Sequence, residues 1–199
     1  NVWLNGHILP LEKAHISPLD RGFLFGDGIY EVVRFFDRTG MAMDAHVQRL
    51  ERSLQLTHIK GFNARELPAL CEQLLQAEQL RDACVYLQIT RGAAADRDFA
   101  YPSEDTPPTI VLFTQNKPGL ADSPMAKAGI KVISIEDQRW ARRDIKTVQL
   151  LYPSMGKMMA KAAGCDDAWM VEDGAVTEGT SNNAYIVKGV KIITRHLSN

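Results

Sequence analysis

Cysteine is scarce in this chain: Cys71, Cys84 and Cys165 are the only three among 199 residues. Their number is odd, their spacing is wide, and no Cys-x-x-Cys or Cys/His pattern surrounds them. A disulfide frame and a zinc site are thereby excluded as organising features, and reduced thiols in a cytoplasmic protein are expected. His7, His15, His46, His58 and His196 are scattered without metal or triad spacing and carry no assigned chemistry. Net charge is nearly absent too, at -1. No broad cationic surface therefore invites nucleic acid or an anionic membrane, and phosphate recognition has to be local. No apolar run approaches the roughly twenty residues of a membrane span. The opening Asn1-Val2-Trp3-Leu4-Asn5-Gly6 lacks the basic-then-apolar character of a signal segment. Internal repeats and low-complexity tracts are missing as well. What is present, 45% hydrophobic and 24% charged residues, is the composition of an ordinary globular protein long enough to bury a real core.

Asn5-Gly6 tolerates two positive φ angles, so Val2 to Leu4 and His7 to Leu11 are expected to form an opening hairpin. The stretch from Asp20 to Gly28 holds too much glycine for a regular element, whereas Ile29 to Phe36 is aromatic and β-branched and reads as a strand. A turn at Asp37 to Gly40 and a short strand at Met41 to Met43 should follow. From Ala45 the apolar period becomes helical through Val47, Leu50 and Leu54, with Asp44 as the expected N-cap. A second amphipathic helix is predicted from about Ala64 to Glu78. Strands are expected at Cys84 to Thr90 and Thr109 to Thr114, separated by a long irregular loop from Arg91 to Pro102. Lys117 to Pro124 has linker composition. The expected organisation is an N-terminal α/β domain over 1–116, an interdomain linker over 117–128, and the first part of a C-terminal domain over 129–199. In the second part a strand at Ile130 to Glu136 precedes a helix at Ser154 to Ala163. Two hairpins follow, Ala168 to Val171 with Ala175 to Thr177, and Ala184 to Val187 with Val190 to Thr194.

Chemistry points first to Lys146. It lies between the basic cluster Arg139, Arg142, Arg143 and the apolar residues Ile145, Val148, Leu150 and Leu151. Partial desolvation and like-charge repulsion both disfavour an ammonium, leaving an amine able to form a Schiff base with a carbonyl compound such as pyridoxal phosphate (PLP). A lysine in a basic turn is more often simply solvated. A PLP site also needs a carboxylate facing the pyridine nitrogen, donors for the phosphate and a trap for the substrate carboxylate. Glu178, in a turn rich in Gly, Thr, Ser and Asn, suits the first, although acidic turn residues are commonly superficial. Arg49 on the first helix suits phosphate, and Thr180 and Ser181 offer hydroxyls that otherwise bond local backbone. Tyr30 can present its hydroxyl to a ligand or be packed away. Arg97 can bind a carboxylate or pair with Asp96 and Asp98.

The order of motifs decides among these readings. Phe25-Gly26-Asp27-Gly28-Ile29-Tyr30-Glu31-Val32, His46-Val47-Gln48-Arg49-Leu50, Thr90-Arg91-Gly92, Asp144-Ile145-Lys146 and Thr177-Glu178-Gly179-Thr180-Ser181-Asn182 together resemble the fold type IV PLP-dependent aminotransferases, most closely the D-amino acid transaminases. The resemblance implies a two-domain α+β / α/β fold with the cofactor in the cleft between domains, and a homodimer. It implies that Lys146 bonds the cofactor aldehyde and shuttles the proton. Arg49, with Thr180 and Ser181, would hold the phosphate, and Glu178 would face the pyridine nitrogen. Tyr30 and Arg97 would trap the substrate carboxylate, Arg97 on a loop reaching into the partner's site. Implied substrates are a D-amino acid of the D-alanine type and a 2-oxo acid such as 2-oxoglutarate, exchanged by ping-pong transfer. Two departures stand out. Phe99 occupies the place where the D-transaminase loop commonly carries a histidine, and family members continue beyond Asn199, so the C-terminal domain is expected to be incomplete here. Branched-chain L-amino acid aminotransferases usually carry Phe-Glu-Gly after the glycine-containing loop, and aminodeoxychorismate lyases typically have Phe-Thr-Thr in place of Tyr30-Glu31-Val32. Both remain open alternatives, as does a non-enzymatic truncated chain.

Overall fold

A computed structural model describes residues 1–117 and 123–196. Contacts divide the chain into two units: Asn1–Pro118 with Ile145–Val148, and Gly119–Asp144 with Gln149–Asn199.

The first unit is built on a six-stranded antiparallel sheet. Its strands are β1 (Val2–Leu4), β2 (His7–Leu9), β3 (Gly28–Phe36), β4 (Thr39–Gly40), β5 (Ala83–Thr90) and β6 (Thr109–Asn116), in the order β2-β1-β6-β5-β3-β4. A short helix α1 (Arg21–Phe25) precedes β3, while α2 (Met43–Thr57) and α3 (Leu67–Ala77) lie between β4 and β5. Alternation along the strands makes the core: Ile29, Val33 and Phe35 of β3, with Val85, Leu87 and Ile89 of β5, are all buried. They pack with Leu50 and Leu54 of α2 and with Leu67, Leu70, Cys71, Leu74 and Leu75 of α3. Burial in this apolar setting pushes the Cys71 thiol up to about 12. The opposite side of the sheet carries a row of rings, Tyr30 on Tyr86 at 5.6 Å and Tyr86 on Phe113 at 4.9 Å between centroids.

Ile145 is buried in the same core. The short segment Ile145–Val148 pairs with the start of β3: the Tyr30 N–H donates to the Lys146 carbonyl at 3.0 Å, and the Val148 N–H to the Gly28 carbonyl at 3.1 Å.

The second unit opens with a short helix α4 (Pro124–Ala128). Strands β7 (Val132–Glu136) and β8 (Asp167–Glu172) are parallel, joined through α5 (Leu151–Ala162), and β9 (Ala175–Gly179) returns antiparallel to β8. Ile135, Ala160, Ala168 and Met170 form its small core. A separate two-stranded sheet is made by β10 (Tyr185–Lys188) with β11 (Lys191–Thr194).

Several local expectations need correction. Asp20 to Gly28 is not irregular throughout: Asp20 caps α1 by accepting the Gly22 N–H at 2.8 Å, and Gly26 ends it in the left-handed conformation. Met41 to Met43 forms no strand, because α2 already starts at Met43, and its N-cap is Ala42 in place of Asp44. The second predicted helix opens as a 3-10 turn at Ala64–Glu66 before α3 begins. Most of the proposed linker stretch lies outside the described residues, and the linker range also holds α4. Among the described residues, no helix is long and apolar enough to cross a membrane.

Leu74 is fully buried between α3 and the sheet core. Leu74→Ala is expected to destabilise the protein by about 2–5 kcal/mol through lost transfer energy and a residual cavity. Urea unfolding followed by circular dichroism checks this, and an unchanged midpoint would remove Leu74 from the core.

Candidate active site

The functional candidates are distributed over both units. In the first unit, β-pairing of Tyr30 with Lys146 puts their side chains together. Lys146 Nζ donates to the Tyr30 hydroxyl at 3.1 Å and stands 4.2 Å from the ring centroid. The contact follows from backbone register, since residues opposed across paired strands direct their side chains to the same face.

Tyr30 and Glu31 are consecutive on β3, so Glu31 points to the helix-covered face. There it is 1% exposed, among apolar neighbours. A buried carboxylate needs partners, and α2 supplies them at i and i+3. Arg49 Nε donates to Glu31 Oε1 at 2.7 Å and an Arg49 Nη to Oε2 at 2.6 Å, while His46 Nδ1 lies 2.6 Å from Oε2. Burial alone pushes the Glu31 carboxyl up, but the Arg49 and His46 contacts outweigh it and hold it below its ordinary value. Arg49 is raised in turn, chiefly by its bonds to Glu31. Its side chain is 46% exposed, so part of the guanidinium fork faces outward. Arg49 sits in the middle of α2.

Arg97 lies on the exposed loop after β5. Its guanidinium stands over the Phe25 and Phe99 rings, at 5.0 and 5.4 Å from their centroids. Asp96 accepts the Arg97 backbone N–H, and Asp98 accepts that of Ala100. Phe99 therefore flanks the arginine on this loop.

In the second unit, Glu178 on β9 pairs with Arg139, whose Nε and second Nη donate to buried Asp137 at 2.9 and 2.7 Å. Asp137 also accepts the Thr177 hydroxyl at 2.7 Å. Burial opposes ionisation of Asp137, but Arg139 and Thr177 hold its carboxyl far below the usual range. Arg143 is bidentate to Glu172 at 2.7 and 2.6 Å, and Arg142 to Asp144 at 2.9 and 3.0 Å. Each arginine of the basic cluster thus has a carboxylate.

Thr180 donates its hydroxyl to buried Asp167 at 2.5 Å, and Asn182 donates to the same carboxylate at 2.9 Å. The Thr180 hydroxyl proton is thus committed to Asp167, and Ser181 beside it is exposed. The turn is tight at Gly179, where a Cβ would lie 2.3 Å from Asn182 Oδ1.

The chain belongs to the class IV aminotransferases, a family of pyridoxal-phosphate enzymes: the family model "Amino-transferase class IV" matches residues 28–199. Within it, the chain is similar to the D-alanine aminotransferase of Bacillus licheniformis, 37% identical over 97% of this chain and 67% of that protein. It is also similar to that of Staphylococcus aureus strain N315, 32% identical over 100% of this chain and 70% of that protein. The chain thus spans about two thirds of the length of these curated relatives. Among solved structures, the Escherichia coli branched-chain amino acid aminotransferase superposes with a TM-score of 0.81 at 19% identity, covering 97% of this chain and 66% of that one. The branched-chain aminotransferase of the archaeon Thermoproteus uzoniensis, solved with norvaline, gives 0.77 at 20%, covering 97% and 67%. At such identities these likenesses concern the fold.

The donor set fits PLP by its chemistry: a lysine amine touching a phenol, a carboxylate paired with an arginine, and a half-exposed guanidinium on a helix. Residues that the sequence reading missed are Glu31, His46, Asp137, Arg139 and Asp167. For Glu31 the signal was a charged residue at a strand position that alternation assigns to the core, in Ile29-Tyr30-Glu31-Val32-Val33.

A carboxyl depressed on folding contributes stability above its ordinary pKa and loses it as pH falls through the folded value. For Glu31 the ordinary value is 4.5 and the shift is downward. Glu31→Gln is therefore expected to cost about 2 kcal/mol at pH 7, with the gap to wild type shrinking toward pH 3. Urea titrations at the two pH values test this; an equal gap at both would exclude the ionised pair as its origin.

Proposed function

We propose that this polypeptide is the PLP-binding core of a D-amino acid transaminase, transferring the amino group of a D-alanine-type donor to a 2-oxo acid such as 2-oxoglutarate in two half-reactions. The observation that carries the reading is the Lys146–Tyr30 contact at 3.1 Å, on a chain 37% identical to a D-alanine aminotransferase.

PLP, when bound, supplies the carbonyl for the amine and an electron sink for the charge left at the substrate's Cα. Lys146 Nζ would hold the cofactor and would then take or return the proton at the substrate's Cα. Tyr30 Oη, beside that nitrogen, orients it and offers a hydroxyl to the substrate carboxylate. Glu178 keeps a negative charge toward the pyridine nitrogen, steadied by Arg139. Arg49 uses the outward part of its fork for the phosphate while Glu31 fixes the inward part. Exposed Ser181 and the Thr180 backbone N–H add donors. Arg97 takes the substrate carboxylate, with Phe25 and Phe99 flanking its guanidinium where the D-transaminase pattern has a histidine. The second part, 129–199, serves as the first part of the C-terminal cofactor-binding domain. A homodimer places the Arg97 loop in the partner's site, and three free cysteines suit a cytoplasmic setting.

A visible spectrum of the PLP-loaded protein provides the test. D-alanine should shift the cofactor band and L-leucine should not; the reverse would favour a branched-chain L-amino acid aminotransferase, and pyruvate release without an amino acceptor a lyase. Lys146→Ala should abolish turnover and the borohydride-reducible bond to PLP. Arg97→Ala should raise KM for carboxylate substrates by roughly ten- to a hundredfold, the worth of a charged hydrogen bond. Unchanged KM would remove Arg97 from the trap.

A further inference from the structure

Arg21 is 4% exposed and belongs to none of the groups described so far. As the first residue of α1, it directs its guanidinium at the loop that follows β5. One Nη donates to the carbonyls of Asp98 and Ala100 at 2.6 and 3.1 Å, and the other reaches the Phe99 carbonyl at 3.4 Å. Three successive backbone carbonyls immediately after Arg97 are thus gathered by one side chain. Arg21 Nε donates to Asp27 Oδ2 at 2.8 Å. Arg91, at the loop's base, donates to both oxygens of the same carboxylate, at 2.8 and 2.9 Å. Two rigid guanidinium forks therefore share one carboxylate, joining the loop's base to its crest. Tyr101 closes the cluster, its ring 3.6 Å from the Arg91 guanidinium carbon and 5.8 Å from that of Arg21.

Backbone contacts support the same fastening. The Arg21 N–H donates to the Gly92 carbonyl at 2.9 Å. At Gly92, with φ +85, a Cβ would stand 1.9 Å from the Pro107 carbonyl oxygen. The base of the loop is thus tightly packed, while its crest, exposed and without regular structure, relies on side-chain donors. An exposed loop of this length would otherwise sample many conformations, each moving Arg97 away from a single position.

The geometry points to Arg21 as the positioning residue of the Arg97 loop: anchored by Asp27, it holds the 98–100 backbone so that Arg97 is presented in one place to the substrate carboxylate. The inference rests on the proposed role of Arg97. Arg21 touches no reacting group and acts through the loop alone. Pre-ordering of this kind lowers the ordering cost of binding, so its loss appears in KM.

The test combines Arg21→Lys, which keeps the charge but not the fork, with Arg97→Ala and the double variant, in the full-length PLP-loaded enzyme. Amide hydrogen exchange is read over residues 93–106. The expected result is at least tenfold faster exchange confined to the loop, and KM for the amino donor up about tenfold with kcat within about threefold. The double variant should show no further rise beyond Arg97→Ala. Tyr101→Leu, at an exposed position, should loosen the same amides in a smaller step and serves where Arg21→Lys folds poorly. Unchanged loop exchange overturns the proposal, as does a loosened loop with unaltered KM while Arg97→Ala raises it. If Arg97→Ala leaves KM unchanged, only the trap reading fails, and the exchange data still decide whether Arg21 fastens the loop.

Discussion

The pairing of Ile145–Val148 with the start of β3 is the constraint on which the first unit's chemistry depends. The two backbone hydrogen bonds, from Tyr30 to Lys146 and from Val148 to Gly28, carry a segment distant in sequence onto the strand. Register then leaves little choice. Lys146 and Tyr30 must share a face, and Glu31 must take the other. Ile145, buried in the core of the first unit, anchors this arrangement by ordinary hydrophobic burial, so the position of the lysine is secured by the same cluster that stabilises the sheet.

That register forces a carboxylate into an apolar core. Glu31 is tolerated there because α2 presents His46 and Arg49 at helical spacing, and the resulting network fixes the orientation of Arg49. The second unit repeats the principle with different residues. Asp137 and Asp167 are buried, and each collects donors from neighbouring segments: Arg139 and Thr177 for the first, Thr180 and Asn182 for the second. A buried anion of this kind organises the turn around it, since leaving any lone pair unsatisfied is costly. The side chains read from the sequence as ligand-binding, Arg49, Glu178 and Thr180, are each held by an acid or a base that the sequence did not advertise. Asp27 plays the same part for the substrate loop, gathering Arg21 and Arg91.

Such networks order these side chains; among the described residues no group of His, Cys, Asp and Glu is placed to hold a metal ion, and Cys71, Cys84 and Cys165 are free. The charged side chains of these groups are paired locally, and the chain's net charge is only -1. The open guanidinium of Arg49 and the ring-flanked guanidinium of Arg97 differ in this respect from the buried forks of Arg21 and Arg91. The first two retain exposure; the second two are committed to structure.

By itself the sequence determined most strands of both units, because alternation and β-branched runs such as Ile29 to Phe36 report a pleated, half-buried surface wherever they fold. It also determined the family, through the order of five short motifs. Local punctuation was less legible. Asp20 to Gly28 conceals a five-residue helix among its glycines, and α2 begins before the expected cap, since short-range propensities there are weak and packing decides. Only the tertiary structure decided which unit holds Lys146, which acid faces which arginine, and that Arg21 grips the loop of Arg97. These are contacts between residues far apart in the chain, such as Arg21 with Asp98 or Lys146 with Tyr30. Periodicity carries no information about them, because their partners are chosen by strand register and by the demand that every buried charge be satisfied.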